Sequence, residues 1–332
     1  GAMDRKLFCL SVVWNHRDRL DAALRSFDEQ TRRPDGVVLV DAASRDGTAS
    51  WLAQNFPYVS TLRLFQRHGL VHAWRQGVRF VLQRIPQEER ASTWILFVAP
   101  EVVLAPDMCE QLLAEIDRLP DAAAVGPVVL QAWKQCRDDD GWEEIEKTQQ
   151  IAALGMRLLR NFRWRYGHTG QGFTPQALPE AKPVFALPGL AVAYRAEDVS
   201  RALEEDGLWT SSFEESEPLF IDLAMRVRTH GRSSYLTPLA TCWRVDHRGV
   251  LVGREKWALN ARMERDAQRL STLGASGWIW WKTLPRRVAR WVVGCFSRIA
   301  THRSRAVIEA NTGSSRVVAW SDVGDLWQFL SR

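Results

Sequence analysis

The 332 residues are 46% hydrophobic and 25% charged, which excludes both a disordered chain and a small stapled scaffold and allows one large domain or two smaller ones. Five cysteines (Cys9, Cys109, Cys136, Cys242, Cys295) stand far apart with no CxxC pair, so neither a disulfide framework nor a cysteine zinc site is expected, and a reducing compartment is. The net charge of +5 permits an anionic partner, while no apolar run approaches the ~18 residues of a membrane span, so the chain reads as soluble or peripheral.

Residues 7–13 (LFCLSVV) form an apolar, β-rich run that ends in Trp14-Asn15, and residues 19–27 take helical spacing through Leu20, Ala23, Leu24 and Phe27. Residues 37–41 (VVLVD) show no polar alternation, as in a parallel strand covered on both faces. A helix is expected over 49–55, with Asp46 or Thr48 capping its free N–H groups. The pattern continues with a strand over 62–65, a helix over 70–83, a buried strand over 93–98, a helix over 106–119 and a strand over 124–130. This alternation predicts an α/β chain on a doubly wound, Rossmann-like, mostly parallel sheet, with ligands at the carboxyl ends of the strands. From residues 136–141 (CRDDDG) up to about 183 the periodicity is weak, and the stretch reads as a long, partly mobile excursion beside the site. Regular structure returns over 184–194, with helices near 196–203 and 220–229 and a strand over 234–245. A charged helix is expected over 257–270, and residues 278–299 are dense in tryptophan and arginine.

A carboxylate at a strand end can accept hydrogen bonds from a uracil or thymine N3–H or from ribose hydroxyls. Asp41 is therefore a candidate nucleotide contact. Asp46 is a candidate for the same contact or a helix cap, and Asn15, across the same crevice, is a contact or a turn residue.

The run Val40-Asp41-Ala42-Ala43-Ser44-Arg45-Asp46-Gly47-Thr48 resembles the opening motif of the family 2 inverting glycosyltransferases, with one departure at Ala42. The resemblance covers residues 6 to about 250 and implies a single glycosyltransferase A-type domain over 1–250. Its nucleotide-binding half is expected at about 5–130 and its acceptor-side half at about 131–250, with a helical extension over 251–332. In the second segment, residues 67–77, the family's glycines survive as Gly69 and Gly77, and Arg75 is either a diphosphate partner or an exposed helix arginine.

The family's metal motif, Asp-x-Asp or Asn-Pro-Asp in the rhamnosyltransferase-like branch, corresponds here to Ala99-Pro100-Glu101. The resemblance thus implies Glu101 as a donor or metal contact and His247 as the closing ligand of a divalent cation, Mg²⁺ or Mn²⁺. On the acceptor side, Asp222-Leu223-Ala224-Met225-Arg226 matches the family's helix, but without a gap its general-base position falls on Phe220. A small insertion would bring Glu217 or Glu215 into that role. The eroded motifs leave a second reading, a catalytically inactive glycosyltransferase-like binding or scaffold protein.

The implied partners are a nucleoside diphosphate sugar and a cell-surface glycan or lipid-linked acceptor. Val288, Trp291, Val292, Cys295, Phe296 and Ile299 lie on one helical stripe, with Arg287, Arg290 and Arg298 off it. Such a helix suits an anionic membrane interface, which predicts peripheral attachment at the cytoplasmic face, or else a packed amphipathic helix that closes the domain. Nucleic acid is not expected, because the basic residues concentrate on this helix.

Overall fold

A computed structural model of the protein describes residues 5–247 apart from 16, 67, 137–142, 159–163 and 206–214, together with 263, 265 and 266. The chain opens with strand β1 (Lys6–Val13), helix α1 (Arg17–Asp28), β2 (Gly36–Ala42), α2 (Thr48–Asn55), β3 (Ser60–Leu64) and α3 (Leu70–Leu82). It continues through β4 (Thr93–Val98), β5 (Val102–Leu104), α4 (Met108–Arg118), β6 (Ala122–Cys136) and β7 (Glu143–Ala153). The last elements are β8 (Met156–Leu158), β9 (Trp164–Tyr166), β10 (Lys182–Val184), β11 (Ala191–Arg195), α5 (Ala196–Glu204), α6 (Glu217–Thr229) and β12 (Ser233–His247).

One sheet runs in the order β10-β12-β6-β11-β4-β1-β2-β3, with β5 paired to β12 and β7 to β6. Parallel pairing joins β4, β1, β2 and β3, and again β12 and β6, while β11 enters antiparallel between β4 and β6. All six residues of β4 are buried because the sheet has a core on each face. Ile95 and Phe97 face one core with Val71, Trp74 and Val78 of α3, and Trp94, Leu96 and Val98 face the other with α1 and α4. At Gly77 a Cβ would stand 2.6 Å from Leu10 Cδ1 and 2.9 Å from Val40 Cγ2, so only glycine lets α3 approach β1 and β2 this closely.

The excursion expected from 136 to about 183 carries regular structure among its described residues. Strand β6 runs on to Cys136, β7 returns antiparallel to it, and β8 and β9 form a separate two-stranded sheet. The reading of 184–194 as one regular element also changes, since β10 and β11 are separate strands pairing with different partners. Helix α6 begins three residues earlier than expected, at Glu217. The charged helix at 257–270 is described only at Met263, Arg265 and Asp266, which are helical, and the Trp/Arg-rich stretch at 278–299 lies outside the described residues.

Candidate active site

A cavity of about 770 Å³ opens at the carboxyl ends of β1 and β4, as a doubly wound sheet requires. Trp14 follows β1, Pro100 and Glu101 follow β4, and Leu70 and Trp74 come from α3. The segment 164–171 forms another wall through Trp164, Arg165, Tyr166 and His168, and Arg244 of β12 faces it. Glu215, Ser216 and Glu217 close the cavity at the start of α6.

Glu217 is held on both carboxylate oxygens at the cavity wall. Its side chain is buried, Oε1 accepts from the Tyr166 hydroxyl at 2.5 Å and Oε2 accepts from the Gly189 backbone N–H at 2.9 Å. Burial raises its pKa, with Glu101 and Glu215 adding repulsion, and this outweighs the two hydrogen bonds that favour the carboxylate. Glu215 shares the cavity, and its backbone N–H donates to Asp266 Oδ2 at 2.9 Å. The ungapped base position, Phe220, is fully buried against Trp74 and Phe97 at centroid distances of 5.7 and 5.5 Å. Glu217 lies one helical turn before it, a spacing that keeps both on one side of α6. Asp222 does not reach the cavity: it is buried against Arg226 Nε at 2.6 Å, and burial, partly offset by that guanidinium, lifts its pKa to about 6.

Asp41, at the end of β2, is fully buried; Oδ1 accepts from the Ser44 N–H at 3.0 Å, and Oδ2 has no hydrogen-bond partner among the described residues. The loop beside it is fixed by Asn15, whose Oδ1 accepts from the Arg45 N–H at 2.8 Å and whose own N–H donates to Ser44 Oγ at 3.1 Å. Asn15 has a φ of 55°, a left-handed conformation that asparagine tolerates. Asp46 accepts from the Thr48 hydroxyl, from the Thr48 N–H at 3.2 Å and from the Arg17 N–H at 3.3 Å, which joins α1 to α2. Burial opposes its ionisation, but these bonds win and lower its pKa. Arg75 is half-buried on α3 and does not line the cavity.

Glu101 and His247 are not brought together in the cavity lining. Glu101 lines the cavity, whereas His247 Nε2 is 2.7 Å from Asp18 Oδ2, beside α1. Burial would raise the Asp18 carboxyl, but His247, Arg19 and Lys134 pull it down. Arg244 faces the cavity, and three positions further along β12 the strand's alternation turns His247 the other way. Among the described residues no three His, Cys, Asp or Glu side chains come together as a metal-holding group.

The family model described as "Glycosyl transferase family 2" matches residues 10–170, from β1 through the β9 wall of the cavity. Residues 10–170 thus form a family 2 glycosyltransferase domain. N-acetylglucosaminyl-diphospho-decaprenol L-rhamnosyltransferase of Mycobacterium tuberculosis, in strains CDC 1551 and H37Rv, is 24% identical over 251 residues, covering 74% of this chain and 77% of that protein. A crystal structure of GalNAc-T7 with UDP, GalNAc and Mn²⁺ superposes with a TM-score of 0.53 at 16% identity. That match covers 74% of this chain and 45% of the other, and it agrees with the A-type fold expected from the sequence.

Tyr166 is the site residue that sequence reading missed. The signal available was the alternation Trp164-Arg165-Tyr166, a short strand inside a stretch without clear periodicity.

Proposed function

We propose that this glycosyltransferase transfers a sugar from a nucleoside diphosphate donor, with inversion, to a glycan or lipid-linked acceptor, with Glu217 as general base. The observation that carries this reading is the buried Glu217 carboxylate, held on both oxygens at the wall of the cavity. Each oxygen keeps a second lone pair. As the acceptor oxygen bonds to the anomeric carbon, its proton passes to Glu217, the bond from that carbon to the diphosphate breaks, and the electron pair leaves on the diphosphate oxygen. The raised pKa suits this task, because a base poised nearer the working pH takes the proton more readily. Among the described residues, Arg165 and Arg244 are the arginines lining the cavity and can face the developing negative charge. No step here is routed through a metal.

The unpartnered Asp41 Oδ2 supports a nucleotide contact, because a buried acceptor without a donor is costly and a base N–H or ribose hydroxyl would satisfy it. Asp41→Ala is expected to weaken UDP, GDP or dTDP binding by about 1.5–3 kcal/mol with the fold intact. Calorimetry across the three nucleotides checks it, and unchanged affinity for all three would remove Asp41 from the donor site. Phe220 at the ungapped base position favours the inactive reading, and Glu217 one turn earlier supplies the carboxylate that reading lacks.

A lipid-linked acceptor is supported by the decaprenol-linked acceptor in the Mycobacterium tuberculosis relative's name. Among the described residues no helix is long and apolar enough to cross a membrane. Peripheral attachment rests on the sequence alone, through the extension from about residue 251 and its stripe from Val288 to Ile299 flanked by Arg286, Arg287, Arg290 and Arg298. Each arginine adds about 1 kcal/mol near an anionic surface. In flotation with phosphatidylglycerol liposomes, the wild type is expected to rise and a Trp291→Glu, Phe296→Glu variant to stay in the soluble fraction. Indifference of the wild type to such liposomes at low salt would place the stripe against the catalytic domain instead.

A further inference from the structure

We propose that Tyr166 is the positioning residue of this enzyme's general base, its hydroxyl holding the Glu217 carboxylate in the orientation that receives the acceptor's proton. The inference rests on the reading of Glu217 given above and adds a role for the segment 156–171.

Both ends of the contact are rigid. Tyr166 ends β9, and the hairpin it belongs to is sewn to the main body by Leu154 N–H to Gly167 O at 2.9 Å and Met156 N–H to Ala186 O at 2.9 Å. A Cβ on Gly167 would stand 2.2 Å from Leu154 O, so this contact is closed to any other residue. On the other side, Trp74 Nε1 donates to Ser216 Oγ at 3.0 Å and fixes the residue just before Glu217. The phenol and the Gly189 N–H then approach different oxygens of one carboxylate, which sets its position and its plane. A base held this way loses little freedom when the acceptor arrives, which is the source of the rate gain from orientation.

The titratable and charged groups around Glu217 are Arg165, Tyr166 and His168 on the 164–171 wall, Glu101 after β4, Arg244 on β12 and Glu215 just before α6. The Arg244 guanidinium lies 6.0 Å from the Tyr166 ring centroid. Burial first, and the Glu217 charge second, push the Tyr166 phenol well above its ordinary pKa, so it stays a donor throughout the working range. Its hydrogen bond favours the ionised form of Glu217 and opposes burial.

The test is the pH profile of kcat for the wild type, Tyr166→Phe, Glu217→Gln and the double variant, with a nucleotide-sugar donor and an acceptor the wild type turns over. Tyr166→Phe removes one oxygen and is expected to lower kcat about tenfold, as loss of a hydrogen bond to a charged group does. It should also move the acid limb of the profile up by about one pH unit, since the lost bond had favoured the carboxylate. The double variant is expected to be no slower than Glu217→Gln alone, because Tyr166 acts through Glu217. An unmoved acid limb, or a loss that adds to that of Glu217→Gln, would overturn the inference while leaving Glu217 as base. Wild-type turnover by Glu217→Gln would instead overturn the assignment of the base, and Tyr166 with it. Should the phenylalanine variant fail to fold, 3-fluorotyrosine at 166 gives the same reading: a more acidic phenol donates more strongly and moves the acid limb down, and an unmoved limb counts against the proposal.

Discussion

Glu217→Gln is expected to lower kcat by about 10²–10⁴-fold with nucleotide affinity unchanged, because a glutamine cannot take the acceptor's proton. The substitution keeps the side chain's size, and the amide oxygen can still accept from Tyr166 or from the Gly189 N–H. Single-turnover assays in donor excess, beside calorimetry with the nucleotide alone, separate the chemical step from donor binding. The same assays give the pH dependence its sign. Glu217 must be ionised to act, and burial has raised its pKa, so turnover falls as pH drops through that raised value, at a higher pH than for an exposed glutamate. Glu215→Gln is the control from the same wall of the cavity and is expected to cost far less. If Glu215→Gln abolishes turnover while Glu217→Gln retains it, the base is Glu215, and Glu217 serves to hold Tyr166 and Gly189 together.

The sheet was legible in the sequence wherever strands are buried on both faces. Residues 93–98 and 37–41 are continuous apolar runs because helices cover both sides, and no alternative periodicity competes with that signal. Strand β7 was not legible: Glu143–Ala153 carries Glu, Lys, Thr and Gln, with burial concentrated in its last three residues, so it lacks the apolar marker of a core strand. Asp41 was legible as a strand-end carboxylate, since strand position and residue type suffice to place it. Asp222 misled, because the motif match does not tell which way its carboxylate turns, and Arg226, the last residue of the same motif and one turn later, holds it inside the domain. His247 misled for a different reason. A strand running on to residue 247 turns positions 244 and 247 to opposite faces, and that parity was hidden while the strand was taken to stop at 245. The bond between Tyr166 and Glu217 joins residues 51 positions apart, and no local pattern encodes it.

Phe220→Ala is expected to destabilise the protein by about 3–5 kcal/mol, the range for deleting a fully buried aromatic ring. The ring is edge-on to Trp74 and to Phe97, and Phe97 in turn is edge-on to Tyr194 with centroids 6.0 Å apart, so the void would open inside one aromatic cluster spanning α3, β4, β11 and α6. The ring also presses on Gly189, where a Cβ would lie 2.2 Å from Phe220 Cε2. Gly189 supplies the N–H that holds Glu217 Oε2, so the residue at the family's base position supports Glu217, the base proposed here, through the backbone. Denaturant melts of Phe220→Ala and Phe220→Leu, paired with kcat, test both parts: leucine refills most of the volume and should recover stability ahead of rate, because a smaller side chain leaves the Gly189 backbone less firmly held. Phe220→Asp would place the family's carboxylate at its motif position, yet here it would bury a charge among aromatic rings with no cation assigned to it, and it is expected to unfold the domain rather than supply a base. A folded, active Phe220→Asp enzyme that no longer needs Glu217 would show that the two positions are interchangeable and that the base is set by the motif rather than by the cavity wall.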